Sequence, residues 1–258
     1  MIKYIYSKIH GIISSATIKR VGSRIKKTGY IYSPSGVNSS FYLPYVENDL
    51  IQKLIALNHT YYEKDNLDFV CKKWQGGVVC DTIKDSLVLD VGANIGNHSL
   101  YYLNECNAKG VICFEPVQDT YNILKKNIEI NGLDTRAKLM NVAVGISSAK
   151  ADVGVYDINN IGGTTIELTD SGNIDVVSID ELNIQERVGL IKMDVEGFEI
   201  PAIKGAMKTI SRYKPYLSIE IRESNFEEAC QMLSAIGYNY LELDKITDYR
   251  DCLFYMNK

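Results

Sequence analysis

The sequence of 258 residues lacks the features that mark secreted, zinc-binding and membrane-spanning proteins. Its six cysteines include no CxxC pair and no histidine at zinc-finger spacing, so neither a disulfide framework nor a structural zinc site is indicated. No apolar run approaches the roughly 18–20 residues that a membrane span requires. Lys8 and His10 interrupt the apolar residues near the N-terminus, which argues against a signal peptide. We therefore expect a cytoplasmic protein with reduced thiols.

Acidic residues are missing from the N-terminal segment. Residues 1–46 contain seven basic side chains and no acidic one, which leaves 21 basic and 32 acidic side chains for residues 47–258. The acidic body argues against a nucleic-acid partner, because neutralising phosphates needs a basic face. The basic segment is a candidate for peripheral contact with the inner face of an anionic membrane. The alternative, which we favour, is that it packs onto the rest of the chain or onto a second copy in a homodimer.

Pattern and composition divide the chain into two parts. Residues 1–46 form a basic N-terminal leader, whose isoleucines lie near helical spacing, followed by the turn-rich linker YSPSGVNSS. Residues 47–258 form the main domain, in which 47–77 is a helical lead-in. From about residue 78, apolar strands alternate with amphipathic helices, which predicts a mainly parallel sheet with helices on both faces. The glycine-bearing residues 144–177 interrupt this alternation as a β-rich or loop-like insertion.

The predicted elements are short and regular. The strands are expected at 86–91, 110–115, 137–144, 189–195, 215–221, 238–244 and 252–257. The helices between them are expected at 98–106, 118–133, 199–213 and 225–237. The last two strands have little sequence between them, which predicts an antiparallel pair at the end of the sheet.

A glycine-containing turn follows the first predicted strand of the sheet. In LDVGANIG, Asp90 ends the strand, and Gly92 and Gly96 bracket a turn into a helix, where a backbone without Cβ can approach a ligand closely. Glu115 ends the next strand, where an acid can accept hydrogen bonds from both ribose hydroxyls of an adenosine cofactor. GxGxxG is absent and Asp90 would repel a pyrophosphate, so a nicotinamide oxidoreductase is disfavoured. An acid at this turn suits the ammonium of a methionine moiety.

A family resemblance rests on motifs in a fixed order. LVLDVGANIGNHSLYY, ICFEPVQDTYNILKKNIEINGL, NVAVG, NNIGGTTI, VVSIDEL and IKMDVEGFEIPAIKGA resemble the FkbM family of S-adenosylmethionine-dependent methyltransferases over about residues 60–256. The resemblance implies a class I methyltransferase fold: a Rossmann-like three-layer α/β sandwich whose seven-stranded, mainly parallel sheet has an antiparallel last strand. It also implies O-methylation, commonly of sugars or polyketide-type hydroxyls.

The same resemblance implies which residues bind S-adenosylmethionine. The loop residues Asp90, Gly92, Ala93, Asn94 and Gly96 would hold its methionine end. Glu115 would bind the ribose, and Asn141 to Ala143 would lie on the adenine side. Glu63, in a Tyr-Glu pair that resembles a helix-borne pair of the family, would close over the cofactor.

Three carboxylates are candidates for catalysis. Asp194, Glu196 and Glu220 follow or end neighbouring predicted strands, where they could act as the general base or position the substrate. Mg²⁺ could bind among them but is not expected, so we assign no metal ligand. Alternatively, they cap helices or pair with nearby cations. His98 is a second candidate base, although packing or support of the cofactor side is favoured for it.

These observations predict an S-adenosylmethionine-dependent O-methyltransferase that acts on a hydroxyl of a saccharide or glycoconjugate precursor, as in polysaccharide biosynthesis. A polyketide-type or other small-molecule hydroxyl is the alternative acceptor. A non-catalytic membrane-surface adaptor that keeps the fold is an alternative of another class. NNIGGTTIEL, residues 159–168, is either a loop that covers the substrate or a simple hairpin turn.

Overall fold

A computed structural model describes residues 15–246 and 248–257, so the isoleucines predicted to be helical at 2–13 lie outside the described residues. The helices of the described part are α1 (Ser15–Lys27), α2 (Leu50–Asn58), α3 (Lys64–Asp68), α4 (Val78–Lys84), α5 (Asn97–Asn104), α6 (Gln118–Ile130), α7 (Glu199–Lys204), α8 (Met207–Tyr213) and α9 (Glu223–Ser234). The strands are β1 (Ile31–Tyr32), β2 (Phe41–Tyr42), β3 (Leu87–Val91), β4 (Gly110–Phe114), β5 (Ala137–Met140), β6 (Ala143–Val144), β7 (Ala149–Val153), β8 (Ile166–Thr169), β9 (Ile174–Val177), β10 (Val188–Met193), β11 (Tyr216–Arg222), β12 (Asn239–Ile246) and β13 (Tyr249–Tyr255). Short π-helical and 3-10 segments lie at Phe69–Lys73, Trp74–Gly76, Ile161–Gly163 and Asp180–Leu182.

The central sheet has seven strands in the order β12-β13-β11-β10-β3-β4-β5. Neighbouring strands are parallel except where β13 pairs antiparallel with both β11 and β12. This confirms the class I methyltransferase architecture with its antiparallel last strand. The chain places β4 and β5 on one side of β3, and β10 and β11 on the other. The strand order therefore reverses between β3 and β10, where open α/β sheets bind ligands.

Each face of the sheet packs into its own hydrophobic core. Successive side chains of a strand point to opposite faces, so Val88 and Leu89 enter different cores, and Val111 and Ile112 do the same in β4. Helices α2 to α6 contribute to the first core, and α7 to α9 contribute to the second. The apolar runs of β3, β4 and β10 are buried almost throughout, as a sheet covered on both faces requires.

Two predicted elements are divided in the structure. The helix expected at 199–213 is interrupted at Gly205, where an added Cβ would lie 1.9 Å from the carbonyl oxygen of Gly145. The strand expected at 137–144 becomes β5 in the central sheet and β6 in a second sheet. That second sheet, ordered β6-β9-β7-β8, confirms a β-rich insertion.

The described part of the leader packs onto the sheet domain. Ile25 of α1, Phe41 of β2 and Leu43 are buried in the same core as the central strands. The segment predicted as a linker instead joins the paired strands β1 and β2, and the Ser40 N–H donates a 2.9 Å hydrogen bond to Asn131 Oδ1. These contacts agree with the packing alternative for residues 15–46, and the domain boundary at residue 46 stays a prediction.

The six cysteines are free thiols. Among the described residues, no helix combines the length and the apolar character needed to cross a membrane.

Candidate active site

A cleft of about 1030 Å³, counted to its open mouth, lies at the carboxyl ends of the central strands. Gly92 and Asn94 reach it from the loop after β3, and Glu115 reaches it from the end of β4. Asp194, directly after β10, and Glu220 of β11 complete its polar wall. The cleft therefore occupies the topological switch point that the strand order defines.

The glycine loop comes unusually close to the neighbouring strand end. Gly92 has φ +76°, and a Cβ atom there would lie 1.9 Å from the carbonyl oxygen of Asp194. The Asp194 N–H donates a 3.0 Å hydrogen bond to the carbonyl of Val91, which fixes this approach. Asn94 also has a positive φ, 51°, so the loop is a tight left-handed turn with backbone exposed to the cleft.

Glu115 lies at the base of the cleft with both carboxylate oxygens engaged. The backbone N–H groups of Asn94 and Val117 donate to Oε2 and Oε1, each at 2.9 Å. Burial raises the pKa of Glu115 to about 7, and the two N–H donors oppose the shift. Each oxygen keeps a second lone pair, so the side chain can still accept hydrogen bonds from a ligand hydroxyl.

Asp90 supports the cleft from below rather than lining it. It is fully buried, and Ser99 Oγ donates a 2.5 Å hydrogen bond to its Oδ2. Lys192 Nζ lies 3.8 Å from Asp90 Oδ1, 3.1 Å from the carbonyl oxygen of Gly92 and 3.4 Å from Asp194 Oδ2. Lys192 thus joins β3, the glycine loop and the end of β10 in one buried charged network.

Of the other predicted cofactor-binding residues, some line the cleft and the others hold the loops around it in place. Glu63 and Ala143 line the cleft. Asn141 instead donates its amide N–H groups to the carbonyls of Glu115 and Pro116, so Val142 forms the wall next to Ala143. Ala93 and Gly96 also lie outside the lining. The Ala93 N–H donates a hydrogen bond to the Phe114 carbonyl, and Gly96 packs against Leu124.

The three predicted catalytic carboxylates come together. One oxygen from each of Asp194, Glu196 and Glu220 lies within 4.8 Å of the other two, a spacing that could hold a metal ion. Glu196 is already engaged, because Tyr249 Oη donates a 2.7 Å hydrogen bond to it and Arg222 lies 3.6 Å away. Burial, and then the neighbouring carboxylates, raise the pKa of Glu220 well above its usual range.

His98 contacts Glu63 and an aromatic side chain. Its Nε2 lies 3.4 Å from Glu63 Oε2, and its ring stacks on Tyr102. Glu63 directly precedes α3 with φ 57°, so it is held at the helix start rather than within the helix. The contact agrees with the supporting role favoured for His98.

The segment 159–168 forms part of the cleft wall, with its 3-10 turn Ile161–Gly163 beside the glycine loop. A Cβ on Gly162 would lie 2.7 Å from Asn94 Nδ2. The Ile161 N–H donates to Asp49 Oδ1 at 3.1 Å, which ties this turn to the start of α2. These contacts place residues 159–168 at the cleft, as expected for a loop that covers the substrate.

Several lining residues were not singled out from the sequence. They are Leu50 and Ile51 of α2, and Val117 and Thr120 near the start of α6. Periodicity marks Leu50 and Ile51 only as apolar helix positions, so their place at the cleft depends on how α2 docks. Lys192 carried a usable signal, because a charged residue inside an apolar strand is rarely buried without a partner.

Comparison with known proteins agrees with this geometry. The model of the Methyltransferase FkbM domain family matches residues 90–240. The Hexuronic acid methyltransferase AglP of Haloferax volcanii is 25% identical over 184 residues, which cover 69% of this chain and 71% of that protein. "Methyltransferase 1" of Beauveria bassiana is 23% identical over 146 residues, 47% of this chain and 58% of that protein.

Two solved structures share the fold. Methyltransferase FkbM from Methylobacillus flagellatus KT superposes with a TM-score of 0.50 at 23% identity and covers 67% of this chain. This chain spans only 44% of that protein's length. The METTL16 MTase domain superposes with a TM-score of 0.51 at 12% identity, over 94% of this chain and 80% of that one. With the matched domain covering more than half of its residues, the chain belongs to the family of FkbM-domain methyltransferases.

Proposed function

We propose that the cleft binds S-adenosylmethionine and that the protein is an O-methyltransferase acting on a saccharide or glycoconjugate hydroxyl. The observation that carries the proposal is the cradle between Gly92 and Asp194, where backbone leaves room only for a residue without Cβ, combined with Glu115 at the next strand end. When bound, S-adenosylmethionine supplies an electrophilic methyl group on a sulfonium.

The lining residues fit the parts of this cofactor. Glu115 would accept hydrogen bonds from the ribose hydroxyls through its free lone pairs. Gly92 and Asn94 present backbone and amide groups for the methionine end, and Val142 and Ala143 give an apolar wall for the adenine. Asp90, Ala93, Gly96 and Asn141 are proposed to hold the cofactor loops in shape rather than to touch the ligand.

The carboxylates beside the cleft are proposed to orient and deprotonate the acceptor. Glu220 has no hydrogen-bond or ion-pair partner within residues 15–246 and 248–257, so its ionised carboxylate is available to accept the hydroxyl proton, and the raised pKa makes that carboxylate a stronger base. Asp194, held by Lys192, and Glu196, held by Tyr249 and Arg222, are fixed in place and suit positioning of the acceptor. Alignment of this kind can contribute about 7–11 kcal/mol to lowering a barrier, and a general base about 10²–10⁴ in rate.

A sugar acceptor is supported by one relative, whose name describes a hexuronic acid methyltransferase. The polar wall, which mixes carboxylates with the hydroxyl and amide of Thr164 and Asn160, suits a ligand with several hydroxyls.

The direct test is binding of S-adenosylmethionine and S-adenosylhomocysteine by calorimetry. It is followed by methyl transfer to a panel of nucleotide-linked and lipid-linked sugars, with Mg²⁺ and with a chelator. We expect saturable binding of both ligands, and transfer that continues in the chelator. A correctly folded protein that binds neither ligand would refute the proposal, and loss of transfer in the chelator would place a metal ion at the three carboxylates.

We further propose that the protein works in the cytoplasm and makes peripheral membrane contact through α1. Six free thiols suit a reducing compartment. Helix α1 packs through Gly22 and Ile25, and the side chains of its cations are exposed. No acidic partner is found for them in the described part of the chain. The exposed cations are Lys19, Arg20, Arg24, Lys26 and Lys27. A homodimer stays a prediction.

A further inference from the structure

A second, half-open chamber adjoins the cleft, with about 490 Å³ of space when the volume is counted out to its open mouth. Glu63, Asp194 and Glu220 line both spaces, so a ligand in one meets a ligand in the other at these side chains. The chamber extends from there between the first turns of α3 and α5 and the strands β11 to β13. It therefore begins where the proposed base stands and continues away from the proposed cofactor.

The chamber contains polar groups that the protein leaves unsatisfied. Tyr102 is 2% exposed, yet its hydroxyl has no hydrogen-bond partner within residues 15–246 and 248–257. In the same described ranges, the carboxyl groups of Glu220 and Asp251 also lack hydrogen-bond and ion-pair partners, although the two residues face each other across the β11–β13 pair. These groups line the chamber with free hydrogen-bonding capacity, so a ligand that enters it can supply the partners that the protein does not.

The charge of the chamber is strongly unbalanced. Four carboxylates line it, and Lys192 and His98 are its only basic lining residues among those described. Lys192 is already held by Asp90 and Asp194. Burial, and then Glu63 and Asp194, raise the pKa of Asp251 to about 8, which shows how unfavourable a further negative charge is there. A ligand carboxylate would add to this repulsion, whereas an ammonium group would relieve it.

The rest of the lining suits a sugar ring. Leu67, Val70 and Leu243 supply apolar surface beside the ring of Tyr102, and Asn66 and Ser218 add polar groups. A pyranose has the same mixture of C–H faces and hydroxyl edges. The chamber therefore combines apolar walls with two acids, Glu220 and Asp251, that have no cationic partner among the described residues.

We propose that this chamber holds the part of the acceptor next to the methylated hydroxyl, that this part is a sugar carrying a protonated amino group, and that Asp251 and Tyr102 determine the preference. The inference rests on the proposed methyltransferase function and specifies its acceptor. Asp251 accepts hydrogen bonds from the ammonium, and Tyr102 donates to a ring hydroxyl. A uronic acid would add another anion among these carboxylates and should bind more weakly, which would set this chain apart from the hexuronic acid methyltransferase that supports a sugar acceptor.

The test uses the full chain saturated with S-adenosylhomocysteine and three matched probes: glucosamine, N-acetylglucosamine and glucuronate. Binding is measured by calorimetry or by ligand-observed magnetic resonance. We expect affinity to fall in that order, at least tenfold between glucosamine and glucuronate. Glucosamine binding should also release protons as Asp251 ionises, which makes the measured heat depend on the ionisation enthalpy of the buffer.

Three variants distinguish a specific role of Asp251 and Tyr102 in acceptor binding from a general loss of folded structure. Asp251→Asn should lower glucosamine affinity at least tenfold and abolish the proton release, while N-acetylglucosamine affinity changes less than threefold. Tyr102→Phe should weaken both neutral and cationic probes by a similar factor. Asp134→Asn, an exposed acid outside the cleft and the chamber, is the matched control and should change nothing. Each variant must retain the wild-type affinity for S-adenosylhomocysteine, which verifies its fold.

The outcomes are distinct. Binding of glucuronate as tight as that of glucosamine, absence of binding by all three probes, or an Asp251→Asn variant that behaves like Asp134→Asn would each overturn the inference. These results would leave the proposed function standing if S-adenosylmethionine binds and methyl transfer occurs. Failure of S-adenosylhomocysteine to bind the wild-type protein would instead contradict the proposed function itself.

Discussion

The carbonyl oxygen of Asp194 lies 1.9 Å from the position that a Cβ atom on Gly92 would occupy. Because this oxygen belongs to backbone, it cannot move aside as a flexible side chain can. We expect Gly92→Ala to lower the free energy of unfolding by well over 2 kcal/mol, since left-handed strain of about 1–2 kcal/mol adds to the clash. Urea denaturation measures the loss.

A matched control separates the clash from the strain. Gly36 has a nearly identical φ, +78°, and no atom lies within 4 Å of the position that a Cβ would take there. Gly36→Ala should therefore cost only about 1–2 kcal/mol. Equal losses in the two variants would mean that the close approach at Gly92 has no energetic consequence.

Glu115 should control cofactor affinity. Glu115→Gln replaces one accepting oxygen with an N–H₂ group, which cannot accept from both Asn94 and Val117 and removes an acceptor for ribose hydroxyls. We expect at least a tenfold loss, about 1.4 kcal/mol, in S-adenosylhomocysteine affinity by calorimetry. Glu129→Gln, an exposed position on α6, should retain full affinity, and an unaffected Glu115→Gln would remove Glu115 from the binding site.

The partly buried carboxyl of Asp251 should make stability depend on pH. Its pKa is raised from 3.8 to about 8, so the folded protein holds a proton that the unfolded chain has released between these values. Its contribution to stability therefore falls as pH rises from about 4 to 8. Relative to wild type, Asp251→Asn should become more stable by at least about 1.4 kcal/mol, one pKa unit, between pH 5 and pH 8.

Urea unfolding at pH 5, 6, 7 and 8 checks this expectation. Asp134→Asn serves as the control, because its carboxyl is exposed in a loop. A stability difference between wild type and Asp251→Asn that does not change with pH would contradict the raised pKa.

Glu220 should affect the chemical step more than cofactor binding. Its carboxyl lies at the junction of the cleft and the chamber, without a partner among the described residues. For Glu220→Gln we expect kcat to fall about 10²-fold or more, with S-adenosylmethionine affinity within threefold of wild type. A kcat close to wild type would show that another group accepts the proton.

The cationic face of α1 should bind anionic membranes. Replacing Lys19, Arg24 and Lys27 by Ala should reduce co-sedimentation with phosphatidylserine vesicles, because each basic side chain near such a surface contributes about 1 kcal/mol. High salt should have the same effect. The control removes three exposed lysines elsewhere: Lys125, Lys138 and Lys208. Equal binding by both triple variants would exclude α1 as the contact.

The sequence determined the order of the elements and the position of the glycine loop, because both depend on local pattern. The adjacent apolar residues Val88 and Leu89 predict that β3 is buried on both faces, because neighbouring side chains of a strand point to opposite faces, and the two enter different cores. Gly92, followed by Glu115 one strand later, marks the ligand edge of a parallel sheet. The placement of Asp194, Glu196 and Glu220 at neighbouring strand ends also follows from connectivity, since the carboxyl ends of parallel strands meet at one edge.

Tertiary structure alone decided which of these residues face a ligand. Asp90 lies near the end of β3 and Asn141 follows β5, positions like those of the lining residues. The hydrogen bonds that Asp90 accepts from Ser99 and Asn141 donates to the Glu115 carbonyl nevertheless direct their polar atoms into the protein. The second chamber depends on the antiparallel register that sets Asp251 opposite Glu220, although 30 residues separate them in the chain. Pairing register and helix docking arise from contacts distant in sequence, which local periodicity does not encode.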